Sequence, residues 1–112
     1  CSLMKNASII MKETLKNIEF NKLKSKFISN VTANFEDNPE TIKELLIKQV
    51  FSRVRWRESI IRSTQNTKSI IEIGSGKILT GMNKRINKDL NLLNISNLGE
   101  IEIFFEKFKE IL

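Results

Sequence analysis

The feature that most constrains this chain is an abrupt stop. Ser69-Ile70-Ile71-Glu72-Ile73 is a short run rich in β-branched residues, and Gly74-Ser75-Gly76 ends it. A helical apolar pattern, Ile78, Leu79, Met82 and Ile86, begins immediately afterwards. A strand cut by glycines and followed at once by a helix is half of a crossover unit, the device that joins parallel strands.

The remaining chain fits that scheme. Leu3, Met4, Ala7, Ile10, Met11, Leu15 and Ile18 recur every three or four residues and predict a helix near 3–18, with Ser2 as its N-cap. Phe27-Ile28-Ser29-Asn30-Val31 reads as a buried strand. Asn38-Pro39-Glu40 is a helix start, since proline in a first turn loses no hydrogen bond. Ile42, Leu45, Leu46 and Val50 carry that helix to about 51. After a break near Ser52, Trp56, Ile60 and Ile61 mark another near 55–65. The glycine turn leads into a helix near 77–86, and Leu92-Leu93-Asn94-Ile95 supplies a third, short strand. Ile101, Phe104, Phe105, Phe108, Ile111 and Leu112 close the chain as an amphipathic helix near 98–111. The expected class is α/β, with parallel strands near 27–31 and 69–73. Parallel sheets are normally covered on both faces, and two or three strands are few for that, which suggests missing neighbours.

Composition removes whole classes of chemistry. No histidine occurs among the 112 residues, so neither a Ser-His nor a Cys-His pair exists within the chain. The single cysteine, Cys1, gives neither an internal disulfide nor a CxxC metal pair. No metal site or bound cofactor is expected. No run approaches the ~20 apolar residues of a membrane span, and no signal-peptide core follows Lys5, so a cytoplasmic protein with no membrane partner is expected. The net charge of +6 suits an acidic partner or plain solubility. Arg53-Val54-Arg55-Trp56-Arg57 interleaves charge with an aromatic, but it is short and isolated, so no nucleic-acid partner is expected.

Gly74-Ser75-Gly76-Lys77 could cradle an anion between strand and helix. A phosphate loop, however, needs a hydroxyl residue after its lysine, where Ile78 stands, and no third glycine completes a dinucleotide fingerprint. Ser75 has glycines on both sides, whereas a nucleophile elbow places them two positions away. The simplest reading is a tight turn that folds the helix back onto the sheet.

Four stretches in order carry more information. Cys1 through Lys5 (CSLMK), Ile28 through Val31 (ISNV), Ile42 through Trp56 (IKELLIKQVFSRVRW) and Ile71 through Arg85 (IEIGSGKILTGMNKR) resemble malonyl-CoA:acyl-carrier-protein transacylases. The similarity covers most of the first ~87 residues, and residues 88–112 carry no family signature. The resemblance implies that residues 1–112 form the C-terminal part of a hydrolase-like acyltransferase domain. It implies transfer of malonyl from coenzyme A, a substrate, to acyl carrier protein, by way of a seryl ester. In that family an elbow serine attacks, a histidine is its base and an arginine holds the malonyl carboxylate. All three precede the matched part, the histidine immediately before the Cys-Ser-Leu-Met stretch, so the chain alone is expected to be inactive and to need an N-terminal catalytic segment as partner. Gln49 matches a position whose backbone carbonyl orients that histidine. Lys77, Lys84 and Arg85, on or beside the helix after the glycine turn, are the expected surface for acidic acyl carrier protein. Proline is usual in the family where this chain has Asn6, Arg53 and Ser75. Such losses suggest a split or decaying gene and lower stability through a looser unfolded state. The alternatives are a noncatalytic remnant that still binds the carrier protein and the acyltransferase portion of a polyketide-type enzyme.

Overall fold

A computed structural model describes residues 2–109. Two compact units emerge, Cys1–Ser63 and Thr64–Leu112.

The first unit contains helix α1 (Ser2–Lys16), strands β1 (Phe27–Ile28) and β2 (Phe35–Glu36), and helices α2 (Pro39–Gln49) and α3 (Trp56–Ser63). Asn38 caps α2 as its sequence suggests: its side-chain oxygen accepts from the N–H groups of Glu40 at 2.9 Å and Thr41 at 3.3 Å. Among the described residues of this unit, the buried hydrophobic ones are Ile42, Leu45 and Ile60, with Ala33. Lys43 reaches from α2 to the end of α1, where its Nζ donates to the Ile18 carbonyl at 2.7 Å and stands 5.0 Å from the Phe20 ring. The apolar stripe of α1 otherwise faces outward: Leu3 and Ile10 are exposed. Ser2, expected as the cap, lies within α1 itself.

The strand expected over 27–31 is shorter and differently paired. Phe27 and Ile28 alone are extended, and they pair antiparallel with Glu36 and Phe35. Ser29 is the reason. Its buried hydroxyl accepts from the Val31 N–H at 3.0 Å and its carbonyl from the Ala33 N–H at 2.8 Å. Short polar side chains compete for backbone in this way and divert a strand into a turn. Ala33 then takes φ +55°, a left-handed conformation uncommon for a residue with a Cβ.

The second unit holds β3 (Ser69–Ile73), α4 (Ile78–Ile86), β4 (Asn91–Ile95) and α5 (Leu98–Phe108). β3 and β4 pair in parallel register from Ser69↔Asn91 to Ile73↔Ile95, so the crossover expected of an α/β chain is present. The parallel partner of β3 is thus the short strand near 92–95 and not Phe27–Val31. Asn97 caps α5 by accepting from the Glu100 N–H at 2.9 Å. Cys1, Ile111 and Leu112 lie outside the described residues. Among those described, no helix is long and apolar enough to cross a membrane.

Candidate functional site

Two places carry the residues of interest, one in each unit. The first is the carboxyl end of α2. A helix leaves its last four carbonyls without helical partners, and the following chain decides which are taken. Here the last turn tightens: the Val50 N–H donates to the Ile47 carbonyl at 3.3 Å and the Phe51 N–H to the Lys48 carbonyl at 3.2 Å. The Ser52 hydroxyl donates to the same Lys48 carbonyl at 2.6 Å. No described residue donates to the carbonyl of Gln49, the final residue of α2. That oxygen is an acceptor available to a donor from outside the chain.

The second place is the glycine turn. Gly74 and Gly76 sit at φ +138° and +84°, backbone conformations that residues with a Cβ rarely adopt, and nothing lies within 4 Å of where either Cβ would be. Conformation, not close packing, demands glycine here. Lys77 precedes α4 without capping it. That work falls to Glu72 on β3, whose carboxylate accepts from the Thr80 hydroxyl at 2.7 Å and from the N–H groups of Thr80 and Leu79 at 2.8 and 3.3 Å. The Thr80 hydroxyl, followed by the two backbone donors, holds the Glu72 carboxyl below the ordinary carboxylate range, against an opposing effect of desolvation. The start of α4 therefore already holds an anion of its own, and a phosphate there would have to displace it. The tight-turn reading fits this geometry. Asn94 fixes the turn from β4, its side-chain N–H donating to the Gly76 carbonyl at 2.6 Å.

Lys77, Lys84 and Arg85 are exposed, and among the described residues none of them is in an ion pair. Lys77 stands just before α4 and Lys84 in its last turn, so the length of the helix, about 10 Å, separates them. Arg85 lies back along α4, with Nη2 4.0 Å from the position a Cβ on Gly81 would occupy. The structure thus places Lys84 and Arg85 in the last turn of α4 and Lys77 just before its start, while Gln49 belongs to the other unit. Glu72, Asn94 and Ser52 escaped the sequence reading. For Glu72 the available signal was a carboxylate alternating with isoleucines in a strand just before a helix with no capping residue of its own. The Arg53–Arg57 cluster is not a free basic surface: Arg53 pairs with Glu58 at 3.5 Å, and the Arg55 guanidinium donates to the Thr32 carbonyl at 3.1 Å. Among the described residues, no group of three or more His, Cys, Asp or Glu is placed to hold a metal ion.

No family model matches the chain. Individual proteins do. The malonyl CoA-acyl carrier protein transacylase of Bacillus subtilis is 37% identical over 109 residues, covering 96% of this chain and 34% of that protein. The chain is homologous to the malonyl CoA-acyl carrier protein transacylases. The crystal structure of the transacylase from Clostridium perfringens superposes with a TM-score of 0.83 at 34% identity, over 99% of this chain and 35% of that one. A type II PKS acyl-carrier protein in complex with its malonyl-transacylase gives a TM-score of 0.82 at 30% identity, over 96% of this chain and 35% of the other. The chain spans about a third of the length of the transacylases it matches, and it corresponds to a C-terminal segment of their fold.

Proposed function

We propose that this chain is the C-terminal part of a malonyltransferase that moves malonyl from coenzyme A to acyl carrier protein in the cytoplasm. Its contribution would be to orient the base and to dock the carrier. The observation that carries this reading is the unoccupied Gln49 carbonyl, at the position the transacylase resemblance assigns to orienting the histidine. In the completed site the elbow serine loses its proton to the histidine and attacks the malonyl thioester, and coenzyme A leaves as the thiol. The carrier's thiol then takes the malonyl group from the serine, returning the proton through the same histidine. Gln49 would accept the other ring N–H of the imidazole, fixing its tautomer and favouring the imidazolium that forms. With no histidine in the sequence, the histidine base would come from residues outside this chain, as would the elbow serine that the resemblance places upstream.

The basic strip of Lys77, Lys84 and Arg85 is the surface we assign to acyl carrier protein. It is exposed and, among the described residues, free of ion pairs, which suits steering of an acidic partner. No metal or bound cofactor enters this reading, and malonyl-CoA is a substrate.

The test joins the chain to the preceding two thirds of the Bacillus subtilis transacylase in place of the segment it matches. The hybrid is expected to transfer malonyl. Reversing charge at Lys84 and Arg85 should raise the Michaelis constant for carrier protein several-fold and spare hydrolysis of malonyl-CoA. A folded hybrid without transfer would refute the enzymatic reading, and an unchanged Michaelis constant would refute the docking surface.

A further inference from the structure

Resting on that reading, we propose that Ser52 is a positioning residue for the histidine, acting through the Gln49 carbonyl. In a continuing α-helix the backbone N–H of Ser52 would bond the Lys48 carbonyl and that of Arg53 the Gln49 carbonyl. Neither bond is made. The Ser52 hydroxyl takes the place of its own N–H on Lys48 at 2.6 Å. The Phe51 N–H shares that acceptor at 3.2 Å. Two donors on one carbonyl hold the final turn tight, and the chain departs before the Arg53 N–H can reach Gln49. The Arg53 side chain is directed elsewhere, to Glu58. One hydroxyl thus ends α2 where it ends and keeps the next carbonyl as an open acceptor.

Removing the hydroxyl leaves two courses. Either the turn frays, or it rewinds as α-helix and the Arg53 N–H takes the Gln49 oxygen. Each destroys a fixed, unoccupied acceptor. An imidazole without it loses its tautomer preference and part of its basicity, because the imidazolium is no longer stabilised at the second nitrogen. Threonine keeps the hydroxyl and should keep the turn.

The first measurement uses the 112-residue chain and needs no catalysis. Amide hydrogen exchange at Phe51 and Arg53 is expected to change about threefold or more in S52A and to return to the original rates in S52T. Unchanged rates at both amides in S52A would overturn the proposal. The second uses the hybrid enzyme. S52A is expected to lower kcat about tenfold, a part of what a positioned general base contributes, with KM for malonyl-CoA unchanged. The acid limb of its pH–rate profile should move to lower pH, and S52T should restore both. A fall in activity without movement of that limb would reduce Ser52 to a structural residue and overturn its positioning role. An inactive hybrid with Ser52 intact would instead count against the function proposed above, while altered exchange in S52A would still establish the hydroxyl's hold on the turn.

Discussion

In Cys1–Ser63, Ile42, Leu45, Ile60 and Ala33 are buried, and the polar Ser29 and Ser59 are buried with them, each hydrogen-bonded. In Thr64–Leu112, Leu90 is the one buried hydrophobic among the described residues, while Ile71, Ile73, Ile78, Leu98 and Phe105 are exposed. What holds the second unit is directional: a five-residue parallel ladder, a carboxylate across the start of α4, and an asparagine on the glycine turn. One unit has apolar packing of its own. The other has geometry but little core. An apolar groove lined by Ile71, Leu93, Phe104 and Phe108 lies open between its strands and α5. A parallel sheet is usually covered on both faces, and here one face carries an open apolar groove.

Substitutions can break that contrast. The largest effect should come from Ile42→Ala, which leaves a cavity in the first unit and should lower stability by about 3 kcal/mol in urea denaturation. A loss below about 1 kcal/mol would mean that the core is no better packed than the open sheet. Next, Gly76→Ala forces a Cβ into a left-handed backbone and should destabilise by about 1–2 kcal/mol, despite the empty space around it. A neutral result would show that the turn relaxes and that the second unit is less fixed by geometry than its hydrogen bonds imply.

A subtler effect is the pH response of Glu72. Its carboxyl pKa in the folded chain lies below the unfolded value. Its contribution to stability is therefore fully present above the ordinary carboxylate range and is lost as pH falls through the depressed folded value. Carboxyl NMR should give Glu72 a titration midpoint below the usual glutamate value, and Thr80→Val should move it up. A midpoint at the ordinary value in the unaltered chain would remove the cap from the account of α4. Smallest of all, Ile73→Ala, at a side chain 81% exposed, should change stability by less than about 0.5 kcal/mol. A loss comparable to that of Ile42→Ala would show that Ile73 is buried in solution, through association of the chain with itself.

The helices were legible because apolar spacing at three to four residues sets helical structure whether or not the stripe is then buried. Residues 3–18 show this: the stripe is correct and the helix forms, yet Leu3 and Ile10 face outward. The β3–turn–α4 segment was legible because glycine can mean few things between a strand and a helix. The hairpin of β1 and β2 was not. Phe27 through Val31 has the composition of a strand, and nothing local announces that Ser29 will spend its hydroxyl and carbonyl on closing a turn or that an alanine will adopt φ +55°. Of the candidate site, the basic residues of α4 could be placed on one helix from spacing alone. That the Gln49 carbonyl is open depends on where α2 stops, and a hydroxyl three residues later decides it.

The pairing of β3 with β4 also bears on how the chain acquires its structure. Ser69 meets Asn91, 22 residues on, and that offset holds along the whole ladder. Helix α4 takes up nine of these residues, so part of the interval is a rigid spacer once the helix has formed. Closing a short interval loses little chain entropy, and each doubling of it would add only about 0.6 kcal/mol. Low contact order of this kind goes with fast formation. During synthesis, the ladder would wait only for Ile95 to emerge.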